Sequence, residues 1–359
     1  MTRAGAAGSS RQLLGPSLPP GAAVWLGIIL LPKLSLCATV FELGENQGPI
    51  EVRDDLPTPS EFYQDYILAE DRVGKPVLFR GAAKGMPAYS LWTDDYLRKT
   101  HGKTILDQVE TEKDETRTVF PHDNWNLAKF LDNYNTSDIY STAQTPEGLN
   151  NEVYLLPPIS CGGHSRKLSA TVMWFSSGGT KSVIHSDGQQ NIHCMFAGEK
   201  RWIAWHPNSR IDTKAMGWIK DAESLGKKDP NFKNAYGAFA GHIKALNVDT
   251  DRFPGWKNLK SWQWTLEAGD CMYLPPRWFH YVEAPAQRAI SVHVWFHAPQ
   301  EFDNKGCKKM EDAGYNLSDY LIRVGDCTWG YGEDERVKKT KCKISRSTLK
   351  GEQRRGDDL

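Results

Sequence analysis

The chain has 359 residues, 40% of them hydrophobic and 25% charged, with Lys+Arg equal to Asp+Glu at 44 each. This is the composition of a globular protein that buries a sizeable core, as one large domain or two modest ones. The balanced charge excludes a global field for nucleic acid or for acidic substrates, so no nucleic-acid partner is expected.

Arg3 and Arg11 precede an apolar run from Ala22 to Leu31, followed by Pro32, Lys33 and small residues near Ser35, Cys37 and Ala38. A basic leader, an apolar stretch and small residues read as a secretory signal peptide over residues 1–38. The run is shorter than the ~20 apolar residues of a membrane span. An uncleaved anchor is the alternative, and only in that case does a membrane become a partner. Removing Cys37 with the leader leaves Cys161, Cys194, Cys271, Cys307, Cys327 and Cys342. An even count in an oxidising compartment suggests disulfides. Three of these cysteines follow residue 300, which favours a bridge within the C-terminal segment. The competing reading for Cys194 and Cys271, set in apolar runs, is that they are simply buried thiols. Asn135-Thr136-Ser137 and Asn316-Leu317-Ser318 are glycosylation sequons, and the terminal "GDDL" faintly echoes an endoplasmic-reticulum retrieval signal. The expected location is the endoplasmic reticulum lumen or the cell exterior.

After the leader, Pro57 to Leu68 reads as a short helix with Thr58 and Ser60 as candidate caps. "KPVLFRGAA" is a strand closed by Gly81. "SLWTDDYLRKTHG" is a helix that stops at Gly102, and "NWNLAKFLDNY" is a second one. From Glu152 the texture changes to short β-type runs split by Gly and Pro: "EVYLL", "ATVMWFS", "NIHCMFAG", "KRWIAWHP", "CMYLPP", "FHYVEA" and "AISVHVWF". Many short strands argue for a sandwich or barrel, with helices added on the N-terminal side. Asn208 to Trp264 reads as a polar, helix-tending insertion. From Arg336 to Arg355 nine basic residues meet one acid, Glu352, which reads as a solvated tail. The chain thus divides into a signal peptide at 1–38, a helical and strand extension at 39–150, a barrel at 151–300 with an insertion at 208–264, and a Cys-containing basic segment at 301–359.

The chemistry concentrates in "HSDGQQNIHCMFAGEKRW", from His185 to Trp202. In a strand, residues i and i+2 face the same side, so His185 and Asp187 reach one metal ion together. Two His and one carboxylate form the facial triad of non-heme iron(II), leaving the opposite face open for O₂ and a cosubstrate. "GDCMYLPPRWFHYVEA" offers His280 as the third ligand. A lysine in an apolar strand is costly unless an anion meets it. Lys200 therefore asks for one, and a dicarboxylate such as 2-oxoglutarate suits it, with Tyr154 adding a hydroxyl.

These residues, with "RAISVHVWF", "GKPVLFRGAA" and "ALNVDTDRFP", resemble the Jumonji-C (JmjC) iron(II)/2-oxoglutarate oxygenases, in particular the small protein-hydroxylase-like members. The resemblance covers roughly residues 57 to 300. It implies a mostly β fold with added helices, a double-stranded β-helix of the jelly-roll or cupin type. It implies His185, Asp187 and His280 as iron ligands and Lys200 as the partner of the distal carboxylate of 2-oxoglutarate, helped by Tyr154. Asn191 corresponds to a polar residue lining the cosubstrate pocket. Ser182 stands where many members have Thr. His293 falls where some carry Asn, and His193 is placed at the pocket border. The implied reaction converts 2-oxoglutarate and O₂ to succinate and CO₂ while hydroxylating a side chain of a protein or peptide substrate. A non-catalytic binding module and an oxygenase of small molecules are the alternatives.

Overall fold

The structure, a computed structural model, describes residues 41–307 except 42, 116–120, 123, 165–166, 210–239, 242–244, 247, 252–253 and 286, and adds 315–316. The leader, the basic tail with "GDDL", Cys327, Cys342 and most of the 208–264 insertion lie outside the described residues. Among the described residues no helix is long and apolar enough to cross a membrane.

Eight strands make the barrel: β1 (Leu168–Ser176), β2 (Ile184–Ser186), β3 (Gln190–Ala197), β4 (Glu199–Trp205), β5 (Lys260–Glu267), β6 (Cys271–Leu274), β7 (Phe279–Glu283) and β8 (Ala289–Phe296). They pair antiparallel in two sheets, β6-β3-β8-β1 and β5-β4-β7-β2, which is a jelly roll. Short edge strands extend both sheets: Val77–Phe79 joins β6, and Glu45–Asn46 lies parallel to β5. The chain passes from one sheet to the other between β3 and β4 on a single residue, Gly198, at φ +71°. A Cβ there would lie 2.3 Å from the Arg288 carbonyl oxygen, so only glycine fits.

Strand alternation sorts the side chains into layers. Ile192, Cys194 and Phe196 of β3, and Ile290, Val292 and Val294 of β8, point outward into an apolar layer shared with the N-terminal helices. Met195, Trp202, Trp264, Leu266 and Met272 fill the barrel interior, with Trp202 and Trp264 stacked at 5.7 Å. The helices that cover the first sheet start where side-chain caps are available. Thr58 and Glu61 form a capping box for α1 (Pro59–Phe62), and Pro stands in its first turn. Pro87–Leu91 forms α2, Thr93 caps α3 (Asp94–His101), and Asn126 caps α4 (Leu127–Asn133). The helix expected from Ser90 to Gly102 is therefore broken at Trp92, where α2 ends and the Thr93 cap begins a new start.

The expected disulfides are present. Cys194 and Cys271 stand directly opposite each other on β3 and β6 and form one, so the buried-thiol alternative falls. Cys307 bridges to Cys161 and takes no part in a clip within the C-terminal segment, whose Cys327 and Cys342 lie outside the described residues. In addition, the segment read as a helix-tending insertion contains the start of β5, whose alternating Trp262, Trp264 and Leu266 are the period-2 signature of a strand.

Candidate metal centre and cosubstrate pocket

His185 sits in the middle of β2, and β7 places His280 directly opposite it in register. Asp187 follows one residue beyond the end of β2. The three offer ligand atoms within 4.8 Å of one another. Asp187 Oδ1 is 4.0 Å from His185 Nε2, and its Oδ2 is 3.8 Å from His280 Nε2. His280 is buried and the other two are half-buried.

The same device aims both imidazoles. His185 Nδ1 lies 2.8 Å from the Val183 carbonyl, and His280 Nδ1 lies 2.9 Å from the Trp278 carbonyl. A carbonyl oxygen can only accept, so each Nδ1 carries the proton and each Nε2 lone pair is left for a metal. Such outer partners fix tautomer and ring orientation in metal sites. The loop before His280 also holds the third ligand, since Arg277, at φ +67°, donates its backbone N–H to the Asp187 carbonyl at 2.7 Å.

That loop is braced from outside. Trp278 donates its indole N–H to the Gly74 carbonyl at 3.2 Å and packs edge-on against His206 and Trp262. His206 in turn meets Glu70 at 2.8 Å, at the head of a left-handed turn in which Glu70, Asp71 and Arg72 all have positive φ. Non-glycine residues in that region cost energy and persist where their surroundings over-determine them. Trp278→Phe is expected to weaken Mn(II) binding by about tenfold, the low end of outer-shell effects, with about 1 kcal/mol of stability lost with the hydrogen bond. A metal titration and a denaturant melt check the two numbers separately.

Lys200 lies in β4, two residues before Trp202, and is buried inside the barrel. Burial lowers its pKa from 10.5 to about 7. Among the described residues no carboxylate or hydrogen-bond acceptor meets its ammonium, which rests 4.8 Å above the Trp174 ring. Beside it stands a polar patch. Asn191 donates from Nδ2 to His293 Nδ1 at 2.9 Å, and the His193 and His293 ring centroids are 3.7 Å apart. Burial holds both imidazoles neutral, well below their usual pKa, and the Lys200 charge acts on both in the same direction. The rings place the lysine and the triad around one interior, since the Trp174 ring under the Lys200 ammonium lies 5.6 Å from His293. Trp202 bridges them physically, lying 5.3 Å from His193 and 5.5 Å from His280.

The structure thus brings together His185, Asp187 and His280, and separately Lys200, Asn191 and His293 in one interior. His193 packs inside the barrel and is not part of the ligand cluster. Ser182 sits at the barrel edge, where its hydroxyl accepts the Val282 N–H at 2.9 Å. Tyr154 lies in a short strand, Tyr154–Leu155, and packs against the helix-side apolar layer; no hydrogen bond joins it to Lys200 among the described residues. Sequence reasoning passed over Trp174. Its signal was available: an aromatic at an inward position of "ATVMWFS", directly opposite Ser291 of β8.

Two imidazoles and a carboxylate, aimed by backbone carbonyls on one wall of a jelly roll, define a cupin-type metal centre for a mononuclear ion. The chain belongs to the family of cupin-like domains, whose model matches residues 59–302. Among curated proteins it is similar to the human bifunctional peptidase and (3S)-lysyl hydroxylase JMJD7, at 24% identity over 280 residues, 70% of this chain and 84% of that protein. It is 32% identical over 123 residues to the Jumonji C domain-containing protein 5 of Drosophila melanogaster, 34% of this chain and 26% of that one. It is 26% identical over 247 residues to the lysine-specific demethylase JMJ30 of Arabidopsis thaliana, 66% of this chain and 52% of that one. The chain therefore spans most of the human relative and about a quarter to a half of the other two. The JmjC resemblance holds, and with it the cofactors of that family, iron(II) and 2-oxoglutarate. The donor set fits the metal: two neutral nitrogens and one carboxylate oxygen on one face, with outer partners in place.

Proposed function

We propose that this protein is an iron(II)- and 2-oxoglutarate-dependent oxygenase that hydroxylates a side chain of a protein substrate within the secretory pathway. One observation carries the reading: a carbonyl-oriented His185–Asp187–His280 triad shares its interior with a buried lysine that has no anionic partner among the described residues. Bound iron would supply the activation of O₂ that couples 2-oxoglutarate decarboxylation to hydroxylation. The chain's own residues do the rest. His185, Asp187 and His280 hold the ion, and Val183 and Trp278 keep both rings pointed at it. Lys200 receives the far carboxylate of the cosubstrate, and the indoles of Trp202 and Trp264 keep water out of the interior between them.

The protein substrate is supported by the relatives, two of which carry names of enzymes that act on lysine. The secretory location is supported by two disulfides and by the exposed sequon at Asn135. Succinate release from 2-oxoglutarate by the purified protein with iron(II), ascorbate and air tests the reaction. Succinate from the wild type and none from His185→Ala is the expected result; equal release from both sinks the assignment.

The pH dependence has a definite sign. With Lys200 near pKa 7 in the empty pocket, an arriving carboxylate raises that pKa, so above pH 7 binding takes up a proton. Cosubstrate affinity is then expected to fall by up to about tenfold per pH unit from pH 7 to 9. Titrations at three pH values in two buffers of different ionisation enthalpy measure both the affinity and the proton uptake.

A further inference from the structure

His185 is aimed by the Val183 carbonyl, so whatever holds Val183 holds the ligand. Val183 lies one residue before β2, at the end of a stretch stitched in place from both sides. On one side this stretch follows β7. Ser182 donates its N–H to the Val282 carbonyl at 2.9 Å, and the Thr180 carbonyl accepts the Ala284 N–H at 2.9 Å. On the other side lies a strap from the N-terminal extension, residues 113–115. Lys181 donates its N–H to the Lys113 carbonyl at 2.7 Å, and its carbonyl accepts the Glu115 N–H at 2.9 Å. These are the two bonds of one parallel ladder step centred on Asp114. Lys113 is itself anchored, with its N–H on Asp138 Oδ1 at 3.1 Å and its ammonium on the Ser177 hydroxyl at 2.8 Å. The next ladder step would join the Val183 N–H to the Glu115 carbonyl and give the Val183 carbonyl a backbone donor. Side chains take both places instead. The Glu115 carboxylate accepts the Val183 N–H with Oε2 at 3.1 Å, and His185 Nδ1 meets the Val183 carbonyl at 2.8 Å. Val183 is buried, so its N–H requires such a partner. Glu115 thus ends the ladder in a way that satisfies the N–H and leaves the carbonyl to the imidazole.

We propose that Glu115 is a positioning residue for the metal centre: its carboxylate holds Val183 so that the Val183 carbonyl keeps His185 protonated at Nδ1, with Nε2 free for the ion. The inference rests on the assignment of His185 as a metal ligand. Reach matters here and charge does not, because the Val183 N–H needs an acceptor oxygen at the end of a side chain of this length. His280 has a separate brace, the Trp278 indole on the Gly74 carbonyl, and so serves as an internal control.

The test uses the whole protein, titrated calorimetrically with Mn(II). Glu115→Ala is expected to weaken Mn(II) binding by about tenfold, the low end of outer-shell effects. Glu115→Gln keeps the reach and an acceptor oxygen without the charge, and is expected to bind within about twofold of the wild type. Glu115→Asp keeps the charge, loses one methylene of reach and is expected to follow alanine. The second readout needs no metal. At about pH 8, above the ordinary imidazole range, proton–nitrogen correlation spectra report which nitrogen of each ring carries the proton. The His185 and His280 signals are assigned by their loss in His185→Ala and His280→Ala. In the wild type and Glu115→Gln both rings are expected to carry it at Nδ1. In Glu115→Ala and Glu115→Asp the His185 signal alone is expected to move toward a mixture with the Nε2–H form. A merely structural role predicts that His185 and His280 are disturbed together, and that result overturns the inference. So does an aspartate variant that matches the wild type while glutamine fails, which would make the charge the cause. A wild type that binds no Mn(II) brings down the metal centre, the oxygenase reading and this inference together. A wild type that binds Mn(II), with all three variants indistinguishable from it, brings down the inference alone.

Discussion

Asp187→Ala is expected to lower metal affinity by more than about a hundredfold, beyond the 10–100-fold typical of losing an outer partner alone, and to end turnover. The carboxylate is the one anionic ligand of the set, with an oxygen 4.0 Å from His185 Nε2 and the other 3.8 Å from His280 Nε2. Without it two neutral imidazoles remain, a poor match for a hard divalent ion. The fold is expected to survive, because Asp187 is half-buried and lies outside the strands. The structural hold on this position is its backbone carbonyl, which accepts the Arg277 N–H and is retained by alanine. Thermal melting without metal is therefore expected to match the wild type, while Mn(II) no longer stabilises the variant. Retained metal binding would show that the ligand set is wrong.

Lys200→Met is expected to act in opposite directions on binding and on stability. Removing one partner of a buried ion pair costs about 3–5 kcal/mol, so 2-oxoglutarate affinity is expected to fall by at least about a hundredfold, with Mn(II) affinity untouched. In the empty protein the same ammonium is a liability. Its folded pKa, about 7 instead of 10.5, lies below its unfolded value, so the folded state disfavours the charge. That cost is fully present below pH 7 and fades as pH rises from 7 toward the unfolded value, at about 1.4 kcal/mol per unit. Methionine matches the length and removes the charge. The variant without ligand is thus expected to melt higher than the wild type at pH 6, with the gap narrowed to about half by pH 9. A variant that melts lower at pH 6 would mean that an anionic group of the protein already meets the lysine.

These opposite effects explain why the lysine was visible in the sequence at all. A charge that strand alternation aligns with the apolar Trp202 and Ala204 in "FAGEKRWIA" has no justification on that face, so it points to something bound. His185 and Asp187 were legible for a similar reason, because i and i+2 in a strand must share a face. Six of the eight barrel strands follow from short apolar runs between Gly and Pro, while "EVYLL" folds as the short strand Tyr154–Leu155 outside the eight and three-residue β2 is too short to show as a run. Lys260–Glu267 was hidden because its outward residues are polar and its flanks carry lysines, which masked the Trp262–Trp264–Leu266 alternation. Disulfide pairing was not legible, since register between β3 and β6 decides that Cys194 meets Cys271. Nor were the carbonyls of Val183 and Trp278, because backbone groups look alike in every sequence. The left-handed turn at Glu70–Arg72 was equally hidden, for no glycine marks it. Also hidden were the Val282 N–H that the Ser182 hydroxyl accepts and the packing of the Tyr154 ring on the helix-side layer.

The central claim is that the triad and Lys200 act on one metal–cosubstrate complex. It is tested most directly by adding iron(II) and then 2-oxoglutarate to the protein without oxygen and recording the visible spectrum. Chelation of iron(II) by a 2-oxo acid gives a charge-transfer band that neither component shows alone. The account predicts that the band appears in the wild type, is absent in Asp187→Ala, and in Lys200→Met appears only at far higher 2-oxoglutarate concentration. A wild type that binds iron(II) yet never develops the band, or a Lys200→Met titration that overlays the wild type, would contradict it.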